Sequence, residues 1–284
     1  SKNCFREIIS SLVKLEHRGQ DSGGIVFHKN KENFKEIKKI GFVSDTFNFV
    51  ESDSCDRAIA HTRYITSKNN QNILFDTLIQ PYISKFSEKY QISFCHNGHI
   101  EKISHYCKLY DIDNYNSNIS DSYFLMKILI YFKKIYGDWI TSIKKLIDNI
   151  EGAYSIIFMT DDEIFAFKDK YGFRPLCLGY SDITESVIVC SESHAFPENY
   201  KFLKELNPGE IIILRFVSDI QKVFQSEGDI DSEFEIETKF DKIEILQFKF
   251  LNLPKAKKCC FENIYFSRHD SKTIMYDKVL DVEK

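Results

Sequence analysis

The stretch SDSYFLMKILIYFKKIYGDWITSIKKLIDNIEG, residues 120–152, decides the fold class. Phe124, Leu125, Ile128, Leu129 and Phe132 recur at helical spacing behind Ser120 and Asp121, either of which suits an N-cap. Ile140, Ile143, Leu146, Ile147 and Ile150 repeat the pattern in a second helix, expected to stop at Gly152. Away from this pair the rhythm changes. An amphipathic helix over residues 4–17 is followed by strands at 23–27 and 37–43, an apolar run at 58–61, and a strand at 90–96 expected to end in a turn at Asn97-Gly98. Beyond the pair, 153–159 and 164–168 form a hairpin around Asp161-Asp162, and further strands follow at 176–178, 187–190 and 210–216. Strands grouped before and after a helical pair point to α+β layers with antiparallel sheets, not to alternating βαβ units.

Working outward, 284 residues with 43% hydrophobic and 14% aromatic content bury one large core, or one domain and the start of a second. The 38 basic and 42 acidic residues are scattered in both signs, leaving no footprint for nucleic acid or an anionic membrane; a small-molecule substrate fits better. Eight cysteines without a CxxC pair fit a reducing, cytoplasmic setting. No apolar run approaches a membrane span. The turn-strand rhythm fades near Ser218, and residues 218–258 read as a charged connection with some strand.

Several sites of chemistry fail on inspection. Cys95 and His96 are strand neighbours whose side chains point to opposite faces, so they cannot act as nucleophile and base for each other. His96 and His99 flank the expected turn without a third metal ligand. No GxxxxGK[ST] or GxGxxG occurs, and Asp161-Asp162 lacks the small and hydroxyl residues that would cradle phosphate. Four polar clusters remain: His17-Arg18-Gly19-Gln20-Asp21-Ser22-Gly23; His61-Thr62-Arg63-Tyr64-Ile65-Thr66 with Gln80-Pro81 downstream; His96-Asn97-Gly98; and Ser120-Asp121-Ser122. Singly they read as a C-cap, a surface arginine, a hairpin turn and an N-cap.

In this order and spacing the clusters resemble the class II glutamine amidotransferase domain of the amino-terminal nucleophile hydrolases. HRGQ at 17–20 narrows the resemblance to the amidophosphoribosyltransferases, since hexosamine-forming synthases (glutamine-fructose-6-phosphate amidotransferase) usually carry tyrosine in place of Gln20. Further matches are Gly152-Ala-Tyr-Ser155, Lys168-Asp169 leading to Gly172-Phe-Arg-Pro-Leu176, Ser191-Glu-Ser193 and Pro208-Gly-Glu210. The segment FENIYFSRHDS at 261–271 resembles the family's junction into its phosphoribosyltransferase domain and has no counterpart in the hexosamine synthases.

The resemblance implies a four-layer αββα sandwich with two antiparallel sheets, and glutamine hydrolysis that supplies ammonia for phosphoribosylamine formation in purine biosynthesis. It assigns Asn97 and Gly98 to the oxyanion hole, Arg63 and Thr66 to the glutamine carboxylate, and Asp121 to the α-ammonium; Arg18 is read as architectural. The family's nucleophile is an amino-terminal cysteine whose own α-amine serves as base. In the family that cysteine and a short strand precede the helix ending in HRGQ, whereas here the helix begins almost at Cys4. The chain as written is therefore expected to be inert, with a shortened reading favoured over a degenerate copy. His269, Asn263 and Gly24 depart from the family's usual proline, aromatic and alanine. Residues 1–217 are expected to form the glutaminase domain without its first strand, and 218–284 the connection and start of a truncated phosphoribosyltransferase domain. No cofactor or metal is expected here; Mg and, in some members, an iron-sulfur cluster belong to the full-length family. Expected partners are glutamine, the phosphoribosyltransferase domain and, at full length, further copies of the chain, with no nucleic acid and no membrane. The rival reading is a non-catalytic module that binds glutamine or a partner chain.

Overall fold

A computed structural model describes residues 4–28, 33–47, 55–64, 78–87, 90–116, 118–216, 232–240, 243–250 and 253–272, with backbone alone at 232–240. The helical pair forms as its periodicity requires. In α4 (Asp121–Tyr136) the Ser120 hydroxyl accepts from the Ser122 N–H at 3.3 Å, and Gly137 closes the helix at φ 81°. Asp138 caps α5 (Trp139–Asn149) by accepting from the Thr141 N–H at 2.7 Å. The second helix ends before Gly152, which instead opens a strand and pairs with Ile100.

The large sheet is antiparallel and has the order β12-β13-β11-β7-β6-β5-β4. Its strands are β4 (Tyr82–Lys85), β5 (Gln91–Ile100), β6 (Gly152–Met159), β7 (Glu163–Lys168), β11 (Glu210–Phe216), β12 (Ser232–Phe240) and β13 (Ile243–Phe250). Side chains alternate between two cores. Phe165, Phe167, Ile211 and Ile213 pack toward α4 and α5, whereas Ile164, Ala166, Ile212 and Leu214 pack toward the other sheet layer. Burial on both faces explains near-continuous apolar runs in an antiparallel sheet. The sheet continues past the composition change near 218, with β13 fully paired to β11.

The second layer consists of two three-stranded antiparallel pieces. One has the order β2-β1-β3, from β1 (Ser22–His28), β2 (Lys35–Ile40) and β3 (Arg57–Arg63); the other has the order β10-β8-β9, from β8 (Cys177–Ser181), β9 (Ser186–Cys190) and β10 (Lys201–Glu205). Outside them lies α1 (Phe5–Lys14), whose Phe5 and Leu12 share a core with Ile25 and Val43, the latter on the short α2 (Val43–Thr46). The order is thus helices, sheet, sheet, helix, with α3 (Ile103–Leu109) beside α4: the expected four-layer sandwich, its second sheet divided. Among the described residues no helix is long and apolar enough to cross a membrane.

Candidate functional site

Three elements converge at one end of the sandwich. Ala60 of β3 accepts at 3.6 Å from the Cys95 thiol of β5, and one ring nitrogen of His61 hydrogen-bonds the His96 backbone, so the end of β3 runs beside that part of β5. Arg63 is the last residue of β3, two positions beyond His61. Gly19 lets the turn after α1 close on this point, because a Cβ there would stand 2.6 Å from the Arg63 nitrogen.

Asn97 and Gly98 form no turn, contrary to expectation. They lie within β5, opposite Ser155 and Tyr154 of β6. The ladder overrides the local Asn-Gly signal, and the glycine is required for a different reason. Gly98 has φ +146°, and a Cβ would sit 2.0 Å from the Ala153 carbonyl oxygen. Asn97 falls on the same face of β5 as Cys95, toward β3, and its buried side-chain Nδ2 has no hydrogen-bond partner.

Gln80 holds this strand to α4. Its Oε1 accepts from the His96 N–H at 2.6 Å, and its Nε2 donates to the His96 carbonyl at 3.2 Å and to the Ser122 hydroxyl at 3.3 Å. Ser122 is also 2.8 Å from His96 Nδ1, while His96 Nε2 is buried without a partner. Burial lowers the His96 pKa to about 4 and that of His61 to about 3, the latter helped by Arg63, so both rings are neutral at pH 7.

Asp121 is the first residue of α4, one position inside the cap. Its carboxylate accepts from the Ile100 N–H and the Ser122 N–H at 2.9 and 2.8 Å, pinning the end of β5 to the helix. Tyr82 lies between the two charged candidates, feeling both Arg63 and Asp121, and its hydroxyl donates to the Leu78 carbonyl at 3.3 Å. Arg63 Nη1 donates to the same carbonyl. The fold thus brings Arg63, Asn97, Gly98 and Asp121 to one end of the molecule; Thr66 lies outside the described residues. Sequence reasoning gave no site role to His61 or His96, which it met only within the polar clusters and in readings it set aside, and it passed over Tyr82.

No described cysteine completes this group. Cys4 Sγ lies 3.0 Å from Cys55 Sγ, and that hydrogen bond together with burial pushes its thiol far up. Burial likewise raises Cys95 in the inter-sheet core.

A model of the glutamine amidotransferase domain matches residues 68–198. The amidophosphoribosyltransferase of Homo sapiens is 30% identical over 295 residues, covering 93% of this chain and 50% of that protein. That of Methanocaldococcus jannaschii is 28% identical over 281 residues, covering 95% and 54%. The chain carries the glutamine amidotransferase domain of the amidophosphoribosyltransferases. The glutamine phosphoribosylpyrophosphate amidotransferase of B. subtilis, solved with ADP and GMP, shares the fold at TM-score 0.72 and 24% identity, over 98% of this chain and 53% of that one. The chain therefore spans about half the length of the relatives it matches.

In this amidotransferase domain, several of the motifs that carry the resemblance meet in a buried ion network next to the candidate site. Arg18 Nη1 donates to Glu192 at 2.6 Å, and Nη2 to both Glu262 oxygens at 3.0 and 2.8 Å. Arg174 adds a 2.5 Å bond to Glu262. Glu192 also meets His17, His194, the Arg268 N–H and the Ser271 hydroxyl. Burial alone would raise the Glu192 pKa; hydrogen bonds from His17 and His194, then Arg18, hold it well below the carboxylate range. Arg18 is thus architectural, as read: it ties the junction segment to the domain. Donor atoms of His17, Glu192 and His194 lie within 4.8 Å of one another, but the Arg18 guanidinium already provides the cation at that carboxylate.

Proposed function

We propose that the end of the sandwich formed by β3, β5 and α4 hydrolyses glutamine. The observation that carries this reading is the buried, unpartnered amide of Asn97, beside a glycine forced by backbone contact. A donor buried without a partner costs free energy, which a developing oxyanion would recover. Arg63 would grip the α-carboxylate, assisted by Thr66, and Asp121 would receive the α-ammonium on its carboxylate. A thiolate attacks the δ-carboxamide carbon; the carbonyl π electrons move to oxygen, where Asn97 Nδ2 and the Gly98 N–H donate. Collapse re-forms the carbonyl and expels the amide nitrogen, which takes a proton and leaves as ammonia; water then hydrolyses the thioester. The thiol comes from outside the described residues.

In the whole protein the ammonia would pass to a phosphoribosyltransferase domain, making phosphoribosylamine for purine synthesis in the cytoplasm. Self-association, Mg and an iron-sulfur cluster would belong to that longer assembly. A second reading rests on the engagement of Arg63 with the Leu78 carbonyl and of Asp121 with two N–H groups: the residues buttress a module without glutamine. Calorimetry with L-glutamine separates the two. Arg63→Ala should weaken binding by about 10- to 150-fold, the loss of a charge-assisted pair at about 1.5–3 kcal/mol. Absence of binding to the unmodified chain, or equal binding by the variant, would reject the glutamine site.

A further inference from the structure

Two cysteines join the start of the first helix to the start of the strand that carries Arg63. Cys4 immediately precedes α1, and Cys55 lies two residues before β3, 51 positions further on. The Cys4 N–H donates to the Cys55 carbonyl at 3.0 Å and the Cys4 carbonyl accepts from the Ile8 N–H at 3.0 Å, so the backbone is held on both sides of Cys4. By standard bond lengths the first of these bonds keeps the two Cα atoms within about 7 Å, and disulfides span about 4.4–6.8 Å. The sulfurs are hydrogen-bonded at 3.0 Å, so an approach of about 1 Å brings them to the covalent distance. Packing holds them there: Cys55 shares a buried core with Phe5, Leu12 and Phe27, and Cys4 packs against the same core.

Other cysteines lack this arrangement. Cys177 and Cys190 stand opposite each other on β8 and β9, but the Cys190 thiol donates to the Glu192 carbonyl at 2.9 Å, and burial raises both thiols. The Cys95 thiol is turned to the Ala60 carbonyl.

We propose that Cys4 and Cys55 are a redox modification site, a dithiol that small-molecule disulfides such as oxidised glutathione convert to a disulfide in the folded chain. Cys4 is the more exposed of the two and exchanges first. Its thiolate attacks one sulfur of the reagent, the reagent's S–S bond breaks, and one glutathione leaves and takes up a proton in place of the one Cys4 gave to solvent. Cys55 Sγ, losing its proton to solvent, then attacks Cys4 Sγ; the mixed disulfide breaks and the second glutathione leaves and is protonated. Two protein thiols are oxidised to one disulfide, and one reagent molecule is reduced to two thiols. The hydrogen bond to Cys55, with burial, pushes the Cys4 thiol far up, so exchange is slow near neutral pH and quickens as pH rises. The cross-link fixes α1 to β3 at this end, as Gly19 packing on Arg63 does at the other, and it does not depend on glutamine binding.

The test is incubation of the full chain at about pH 8 in graded ratios of oxidised to reduced glutathione, then alkylation of the remaining thiols and tryptic mapping without reduction. Cys4 falls in the peptide 3–6 and Cys55 in 40–57, neither of which holds another cysteine. These two peptides should be linked at least tenfold more often than any other pair. The oxidised chain should melt about 5 °C or more above the reduced one, and dithiothreitol should reverse both effects. Cys55→Ser should trap glutathione on Cys4, whereas Cys4→Ser should leave Cys55 unmodified. No link at the most oxidising ratio, a link no more frequent than those of other cysteines, an oxidised chain that melts no higher than the reduced one, or glutathione on Cys55 in the Cys4→Ser chain would overturn the proposal.

Discussion

Replacing Arg18 by methionine removes the guanidinium from the buried network while keeping a side chain of similar length. Arg18, Glu192 and Glu262 are each less than one-tenth exposed, so two carboxylates lose a cation in a nearly dry environment. Breaking a buried pair in this way costs about 3–5 kcal/mol. Arg174 remains on Glu262, and His17 and His194 on Glu192, which places the loss near the lower end, about 3 kcal/mol. The pH dependence follows from the depressed Glu192 pKa. A carboxylate whose folded pKa lies below its unfolded value contributes stability above the unfolded value, near 4.5, and loses that contribution as pH falls toward the folded one. The gap between wild type and Arg18→Met should therefore begin to narrow below about pH 5 and go on narrowing well below pH 3. Urea unfolding followed through Trp139, the single tryptophan, measures both quantities. A loss below about 1 kcal/mol at pH 7, or a gap unchanged at pH 3.5, would show that Arg18 does not hold the network together.

Gly98→Ala places a methyl against the Ala153 carbonyl at a φ unsuited to L residues, and should cost about 2–4 kcal/mol in urea unfolding; a loss below about 1 kcal/mol would mean that the strand shifts freely. Phe158 is fully buried, with its ring stacked on Phe165 at 4.5 Å, so Phe158→Ala should cost about 3–5 kcal/mol by the same assay. His96 and His61 have folded pKa values below 6.5, so each contributes stability that is present above pH 6.5 and declines as pH falls toward about 4 and about 3. Proton NMR should show both rings unprotonated at pH 5.5, and titration of either near pH 6.5 would contradict their burial.

The helical pair and the hairpin of β6 and β7 were legible because each carries a clean period: 3.6 residues behind a cap, or two residues around Asp161-Asp162. β10 (KFLKE) and β4 (YISK) were not, being four or five residues long with mixed polarity. Asn97-Gly98 misled because its local turn preference is outweighed by a ladder whose partner lies more than 50 residues away. The ion network had no local signal at all: Arg18 meets partners 174 and 244 positions distant, which only the folded chain brings within reach. The candidate site residues were singled out by the order of their motifs, not by any local pattern of their own.

The most direct test of the glutamine site is a nitrogen-15 NMR titration of the chain with L-glutamine. The side-chain amide of Asn97, the Gly98 N–H and the Arg63 guanidinium should shift together along one saturating curve. Shifts elsewhere in the protein while these three signals stay fixed would place the ligand at another site and contradict the account.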